Sequence, residues 1–238
     1  MKISLVIPAH NEEAFIGDCL DSAIQQSQGR FHEIVVVDNV STDRTAEVAR
    51  ARLGVRVVRE DQKGITHARQ RGLEETTGDF VAYIDADTRL PAQWFDVAER
   101  AFKENPKAVS LSGPARYWDG TILQRVVMGC FWWISAPLTY RIVGYMVFGA
   151  NFIAKRDALL AIGGFDRSIE FYGEDTDIAR RLSKVGETLF RMNFFIYTSA
   201  RRLQSEGMFR TNFTYAMNYL WPVLFKRPYH TTHQDIRV

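Results

Sequence analysis

The sequence predicts an α/β protein whose sheet is mostly parallel in the N-terminal half and is flanked by helices. Short apolar runs rich in β-branched residues recur along the first hundred residues, and each is followed by apolar residues at helical spacing. Two of these runs end in a carboxylate, at Asp38 and Asp85, as buried strands do at the ligand-binding edge of an open α/β sheet. Repeated βα units of this length indicate parallel strands joined by right-handed crossovers.

The elements of the N-terminal half follow from these periodicities. Strands are predicted at Ile3 to Ile7, Glu33 to Asp38 and Val55 to Val58, and the run from Phe80 to Asp87 is predicted to be a central strand with Asp85 and Asp87 at its carboxyl end. Three helices are predicted between these strands. The first begins at Asn11 to Glu13, the second is capped by Ser41 or Thr42, and the third runs from Ile65 to Thr76. No Gly-x-Gly-x-x-Gly and no Walker loop follows a strand, which argues against a dinucleotide site and a P-loop.

The second half continues the alternation less regularly. A helix opened by Pro91 is followed by a strand at Ala108 to Ser112. Residues 147 to 154 are predicted to form a strand interrupted by Gly149, where a backbone can approach a ligand closely. Helices are then predicted at Arg156 to Ile162 and after Gly173.

Composition limits the classes of function. The chain has 238 residues and a net charge of +2, with no basic run of the kind that binds nucleic acid, so no nucleic-acid partner is expected. Cys19 and Cys130 are the two cysteines, too few for a disulfide framework or a zinc site, which fits a reducing cytoplasm. The apolar run at the N-terminus stops at Pro8 and is too short for a signal peptide.

The run from Phe80 to Asp87 is the strongest local signal of chemistry. Because side chains alternate along an extended segment, Asp85 and Asp87 are predicted to point the same way across Ala86, and a cation would relieve their repulsion. Carboxylate oxygens suit Mg²⁺ or Mn²⁺, which also bind substrate phosphates. The alternative is a pair of solvated aspartates in a turn.

Seven short motifs together carry a resemblance to a known family. In order, they are Val6 to Glu13, Val36 to Asp43, Lys63 to Arg69, Asp85 to Asp87, Gly149 to Asn151, Gly163 to Asp166 and Gly173 to Asp175. This ordered set resembles the family 2 glycosyltransferases, which are inverting enzymes of the GT-A fold. The resemblance implies a Rossmann-like mixed sheet, a nucleotide-sugar donor and a divalent metal, Mn²⁺ or Mg²⁺.

The resemblance also implies roles for individual residues. Asp87 would bind the metal with Asp85, Asp175 would be the general base, and Asn151 and Glu174 would lie on the acceptor side. Asp38 would contact the nucleotide base, and Arg69 would lie near the base or the diphosphate. The other positions expected to line the donor site are Pro8, Ala9, Glu12, Asp85 and Ala86. A competing interpretation makes Glu174, Asp175 and Asp177 first-turn charges of a helix.

Two departures from the family pattern affect specificity. Asp38-Asn39-Val40-Ser41 stands where many relatives have Asp-Asp-Gly-Ser, so the second acidic contact to the nucleotide is missing. The sequence therefore allows either a UDP-linked or a GDP-linked donor. The Gln-x-x-Arg-Trp motif of processive synthases is absent, and Arg201-Arg202-Leu203-Gln204 stands in its neighbourhood. This absence favours transfer of one sugar at a time, in the synthesis of a cell-envelope glycan or polysaccharide.

The predicted division of the chain follows the chemistry. Residues 1–115 would bind the donor, 116–200 would supply the acceptor side and the base, and 201–238 would form a helical extension.

An inverting transfer needs a cation on the departing diphosphate and a base for the acceptor hydroxyl. An anionic acceptor such as a polyprenyl phosphate would need no base. A non-catalytic sugar-nucleotide-binding subunit is the alternative from another class.

Two aromatic segments, 117–147 and 209–225, are the least familiar part of the sequence. The first includes Pro137 and Arg141 and is expected to fall short of the ~20 apolar residues that a spanning helix needs. Core packing or a subunit interface, as in a homodimer, is one interpretation. The other is a pair of interfacial helices that dock the enzyme on the inner face of the cytoplasmic membrane, near a lipid-linked or other glycan acceptor.

Overall fold

A seven-stranded mixed sheet forms the centre of the protein, as described by a computed structural model for residues 1–169 and 173–207. The strands are β1 (Ile3–Ala9), β2 (Phe31–Asn39), β3 (Val55–Glu60), β4 (Phe80–Ile84), β5 (Ala108–Ser112), β6 (Ala115–Tyr117), β7 (Asn151–Lys155), β8 (Glu187–Phe190) and β9 (Ile196–Thr198). The strand order of the large sheet is β3-β2-β1-β4-β7-β5-β8, and β6 and β9 form a separate parallel pair.

Helices connect these strands and cover both faces of the sheet. In chain order they are α1 (Ile16–Ser27), α2 (Thr45–Arg50), α3 (Ile65–Glu75), α4 (Trp94–Glu104), α5 (Ile122–Val143), α6 (Arg156–Ala161), α7 (Glu174–Leu182) and α8 (Arg201–Glu206). The predicted mixed α/β fold, mostly parallel in the N-terminal half, is confirmed: β1 to β4 pair in parallel, and β7 inserts antiparallel between β4 and β5.

The two faces of the sheet carry separate apolar layers because side chains alternate along each strand. On β1, Ile3, Leu5 and Ile7 lie in the layer that also holds residues of α1 and α4. Val6 lies in the opposite layer, with residues of α3, α6 and α7. This arrangement leaves the carboxyl ends of β1, β2 and β4 at one edge, with Ala9 paired to Asp38 there.

Three helices begin later than predicted, and for α1 and α2 the reason is that the residues expected to start or cap them have other hydrogen-bond partners. The amide of Asn11 donates to Oγ of Ser41, and the amide of Thr42 donates to Oδ1 of Asn11, so these residues join the β1–α1 and β2–α2 loops. Asn11 is left-handed, at φ 50°, and α1 begins only at Ile16. Pro91 lies in a turn before α4, not at its first helical position.

The strand predicted at 147–154 is also shorter than expected. The amide of Asn151 donates to the carbonyl of Phe148, which makes residues 148–151 a turn, and β7 begins at Asn151. Ile84 pairs with Asn151, so this turn lies at the carboxyl edge beside the end of β4. Gly149 is therefore a site residue in a loop.

Helix α5 corrects the expectation for the first aromatic segment. It runs unbroken for 22 residues with Pro137 inside it, between a capping box of Thr121 and Gln124 and a left-handed Gly144. Among the described residues it is the one helix whose length and apolar composition would allow it to cross a membrane. The segment 209–225 lies outside the described residues.

Candidate active site

The donor-side residues predicted from the sequence collect at the carboxyl edge of the sheet. Pro8 and Ala9 end β1 as buried residues, and Asp38 near the end of β2 is 5% exposed. Oδ1 of Asp38 accepts a hydrogen bond of 3.2 Å from the amide of Ser41. Ala86 is also buried, beyond the end of β4, between the two aspartates.

Asp85 and Asp87 were predicted to point the same way, but the structure turns the two carboxylates toward different partners. Strand β4 ends at Ile84, and the amide of Thr88 donates to the carbonyl of Asp85, so residues 85–88 turn instead of staying extended. Asp85 lies 3.6 Å from Arg69 and is 41% exposed, whereas Asp87 lies 3.0 Å from Arg201 and is 10% exposed. The two carboxylates therefore belong to two different charge clusters.

The first cluster is centred on Arg69 and joins the donor side to the predicted base. Its guanidinium Nη1 lies 3.3 Å from both Glu174 and Asp175, and Nη2 lies 3.6 Å from Asp85. Because the Arg69 side chain is only 4% exposed, these contacts are poorly screened by water. The resemblance placed Arg69 near the nucleotide base or the diphosphate; the structure directs its charge to these three acids.

Local backbone geometry puts the two acids of α7 in this cluster. Gly173 precedes the helix at φ 93°, a conformation that costs glycine little, and Glu174 and Asp175 occupy the first turn. The amide of Gly149 donates a hydrogen bond of 2.8 Å to Oδ2 of Asp175. The positive end of the helix dipole and this amide both stabilise a negative charge on Asp175.

Burial and mutual repulsion perturb the acids of the Arg69 cluster. One guanidinium faces three carboxylates, so ionisation of all three would leave an excess of negative charge. Burial, with a further contribution from Asp175, raises the pKa of Glu174 to about 8 against the attraction of Arg69. Burial also raises the pKa of Asp175, opposed by Arg69 and the Gly149 amide. Such perturbed groups in contact are typical of functional sites.

The second cluster joins Asp87 to Glu12 through Arg201. The guanidinium of Arg201 donates a hydrogen bond of 2.6 Å to Oε1 of Glu12 and lies 4.7 Å from the ring centre of Phe15. Oδ1 of Asp87 accepts a hydrogen bond of 3.1 Å from Thr198. Burial raises the pKa of Asp87, and the charge of Arg201 counteracts this shift.

The sequence-based prediction assigned no role to Arg201 or Asn39. In the sequence, Arg201 begins the segment that stands where the Gln-x-x-Arg-Trp motif of processive synthases is absent. Asn39 accepts from the amide of Gly64 through Oδ1 and donates to the carbonyl of Gln62 through Nδ2, so it joins the β2 and β3 ends of the edge. The sequence feature that could have indicated a role for Asn39 is its position directly after Asp38.

Asn151 does not face an acceptor as predicted. It is fully buried, its Oδ1 accepts from Trp94 Nε1 at 3.0 Å, and its Nδ2 donates to the carbonyls of Gly113 and Phe194. All of its polar atoms are engaged within the core, so Asn151 holds β7 in place.

The residues at this edge have the chemistry to hold a divalent cation. Asp87 presents a buried carboxylate whose pKa is raised and which a cation would stabilise, and Asp85 is accessible nearby. Within the described ranges, no group of three or more His, Cys, Asp or Glu side chains is arranged to hold a metal ion. A cation bound here would thus depend on oxygens from a diphosphate and water, as Mg²⁺ and Mn²⁺ usually do.

Comparison with solved structures confirms the GT-A fold. A mannosyltransferase from Pyrobaculum calidifontis, solved with GDP-Man and Mn²⁺, superposes with a TM-score of 0.70 at 20% identity over 94% of this chain and 64% of that one. Glucosyl-3-phosphoglycerate synthase from Mycobacterium tuberculosis, solved with Mn²⁺, UDP and phosphoglyceric acid, gives 0.65 at 22% identity over 92% and 78%.

Sequence relatives agree with this result. A dolichol-phosphate mannosyltransferase from Pyrococcus furiosus is 37% identical over 97 residues, which are 39% of this chain and 28% of that protein. An uncharacterised glycosyltransferase of Escherichia coli, YibD, is 24% identical over 92% of this chain and 68% of its own length. The model of glycosyl transferase family 2 matches residues 4–163. The chain therefore belongs to glycosyl transferase family 2.

Proposed function

We propose that the protein is an inverting, metal-dependent enzyme that moves one sugar from a UDP- or GDP-linked donor to an acceptor hydroxyl. The observation that carries this proposal is the Arg69 cluster, which connects Asp85 at the donor edge with Asp175 at the start of α7. A carboxylate held near the donor edge, yet 29% exposed, has the position required of a base that meets the acceptor.

The proton of the acceptor hydroxyl passes to Asp175 as the new glycosidic bond forms. Asp175 must be ionised for this role, and the Gly149 amide and Arg69 both favour its charged form. Glu174, which burial makes a much weaker acid, keeps its proton near neutral pH and so lowers the charge of the cluster.

The residues on the departing side would hold the nucleoside diphosphate. Asp87 and Asp85 would hold Mn²⁺ or Mg²⁺, which supplies positive charge to the leaving diphosphate when bound. Asp38, buried at the end of β2 with its Oδ1 oriented by Ser41, would accept a hydrogen bond from the nucleotide base. Mn²⁺ complexes of two structural neighbours with GDP-Man and UDP support this assignment.

A screen of sugar nucleotides tests the donor and the metal together. Each UDP- and GDP-linked sugar is added with and without Mn²⁺, and the melting temperature is measured, because a ligand that binds only the native state raises it. We expect stabilisation by one nucleotide class, dependent on Mn²⁺, and its loss in Asp87→Ala, with a smaller loss in Asp85→Ala. Stabilisation that Asp87→Ala leaves unchanged would contradict the metal assignment.

Turnover separates an enzyme from a sugar-nucleotide-binding subunit of the same fold. Release of the nucleoside diphosphate from the donor that stabilises the protein is followed with Mn²⁺ present. Measurable donor hydrolysis or transfer, lost in Asp175→Asn, supports the enzyme. Donor binding with no release, in the presence of both hydroxyl and polyprenyl-phosphate acceptors, would favour the non-catalytic alternative.

A membrane-proximal acceptor is the second part of the proposal, and it rests on α5. Met128, Trp132 and Ala136, each four residues apart, are buried on one stripe of the helix, which therefore lies along the domain. The rest of its surface exposes Ile122, Leu123, Val126, Trp133, Ile134, Leu138 and Ile142. Such an apolar surface on a helix that is attached along its length fits docking at a lipid interface.

The connections of α5 favour docking over spanning. Four residues separate it from β6 and seven separate it from β7, so both of its ends join the same domain. A helix of 22 residues is about 33 Å long, close to the ~30 Å hydrocarbon core of a bilayer, and spanning would place its ends on opposite sides. Peripheral attachment at the inner face of the cytoplasmic membrane, near a lipid-linked acceptor, follows from this proposal.

A further inference from the structure

Arg201 occupies the side of Asp87 where a divalent cation would be needed. Its Nε lies 3.0 Å from Oδ2 of Asp87, and its Nη2 lies 2.6 Å from Oε1 of Glu12. The side chains of Glu12 and Asp87 are 4% and 10% exposed, so these charges interact with little screening. The guanidinium thus already neutralises the carboxylate proposed to bind the metal.

Hydrogen bonds on the N-terminal side of α8 fix the position of Arg201. Arg89, two residues after Asp87, exchanges backbone hydrogen bonds of 2.7 and 3.0 Å with Tyr197 of β9. Asp119 then accepts hydrogen bonds of 2.6 Å from both the hydroxyl of Ser199 and the amide of Ala200, which fixes the start of α8. Arg201 follows directly.

We propose that Arg201 is an internal counter-cation that competes with the divalent metal for Asp87 until a nucleoside diphosphate binds. This inference rests on the proposed metal site at Asp87. A metal ion and a guanidinium beside the same carboxylate repel each other, so binding of the metal alone must displace Arg201 from an ion pair that is largely buried. A diphosphate changes the balance because its oxygens give the released guanidinium a new anionic partner.

The consequence is that the metal binds weakly alone and strongly with the nucleotide. When the diphosphate is bound, the site holds two cations, the metal ion and the guanidinium of Arg201. Their positive charges are balanced by the diphosphate, Asp87 and Glu12. The protein would thereby keep its metal site filled by its own side chain when no donor is present. Arg201 is in this sense a positioning residue for donor and metal.

Mn²⁺ binding measured by electron paramagnetic resonance tests the inference without any turnover. Free Mn²⁺ is titrated with wild type, Arg201→Gln and Arg201→Lys, each without nucleotide and with UDP or GDP. Without nucleotide, we expect Arg201→Gln to bind Mn²⁺ roughly tenfold or more tightly than wild type, since a positive charge a few ångströms away is removed. Arg201→Lys, which keeps the charge, should stay close to wild type.

The control is Arg116→Gln, which removes an exposed arginine that stacks on Phe195 and leaves Asp87 with its guanidinium partner. In wild type and in this control, nucleoside diphosphate should strengthen Mn²⁺ binding more than it does in Arg201→Gln. If Arg201→Gln binds free Mn²⁺ no more tightly than wild type, while the wild type binds Mn²⁺ with UDP or GDP, the counter-cation is refuted and the metal site stands. If no variant binds Mn²⁺ under either condition, the metal assignment itself fails.

Discussion

The backbone amide of Gly149 donates a hydrogen bond of 2.8 Å to Oδ2 of Asp175, across the gap between the β7 turn and the first turn of α7. This contact leaves no room for a side chain at position 149. A Cβ placed there would clash with Oδ1 of Asp175 and with Nη2 of Arg69. A side chain at this position would therefore force both the proposed base and its buried arginine to move.

Gly149→Ala should disturb the Arg69 cluster. Because Asp175 and Arg69 must both move, we expect a loss of stability of about 1–3 kcal/mol and a larger relative fall in kcat than in donor affinity. Denaturant unfolding and steady-state kinetics measure the two effects. The control is Gly129→Ala on α5, where a Cβ meets no atom within 4 Å and alanine should be neutral or stabilising by up to ~1 kcal/mol. Equal behaviour of the two variants would contradict the proposed packing.

Replacement of the base should slow the chemical step and leave donor binding intact. For Asp175→Asn we expect kcat to fall by ~10²- to 10⁴-fold with little change in the donor Kd, measured by calorimetry. Asp177→Asn is the matched control, since Asp177 also lies in the first turn of α7 but pairs with Arg180 and Arg181. Similar kcat values in the two variants would show that Asp175 is only a first-turn charge of the helix, as the competing interpretation holds.

Glu174 should make the protein less stable as the pH rises. Its pKa is about 8 in the folded protein against an ordinary value of 4.5, so between these values the folded state binds the additional proton. The free energy of unfolding therefore falls as the pH increases through this window, and is highest, as far as Glu174 is concerned, below pH 4.5.

Glu174→Gln removes this dependence while it keeps the shape of the side chain. We expect the variant to melt roughly 3 °C or more above wild type at pH 8.5, and this advantage should disappear toward pH 5. Differential scanning calorimetry across pH 5–9 measures both curves. The substitution Glu74→Gln serves as a control, because that glutamate is exposed and pairs with Arg167. A wild-type curve with no greater slope than that of Glu174→Gln would contradict the shifted pKa.

Helix α5 should bind the protein to lipid through its exposed side. Wild type is expected to sediment with anionic liposomes, and the double variant Trp133→Ser and Ile134→Ser should remain in the supernatant. Because the attraction of Arg141 is screened by salt and apolar burial is not, high salt should only reduce binding. Leu53→Ser is the control, since Leu53 is 97% exposed at a distant loop.

The aromatic residue chosen for this test matters. Trp132, the neighbour of Trp133 in the same aromatic segment, is buried and packs against Phe148 and Phe190, so its replacement would damage the core. If wild type stays in the supernatant and forms a dimer that the Trp133 and Ile134 double variant cannot form, α5 is a subunit interface. The lipid-linked acceptor then loses its support.

The order of strands and helices was determined by the sequence itself. Apolar β-branched runs and helical spacing are local patterns, and β1, β2, β4, α3 and β5 lie where these patterns predict them. The ordered motifs likewise identified the family, because each places glycines or polar residues at the boundary of a strand or helix. The placement of Asp38, Asp85 and Asp87 at the carboxyl edge followed from parallel pairing alone.

The partners of the charged residues were decided by the tertiary structure. Arg69 meets Glu174 and Asp175 over more than 100 positions of sequence, and Arg201 meets Glu12 over 189, so no local pattern could pair them. The caps at Ser41 and Thr42 and the acceptor role of Asn151 were wrong for the same reason: their hydrogen-bonding groups are satisfied by distant loops and by the core. Propensity describes what a side chain can bind, whereas folding determines which of its suitable partners comes within reach.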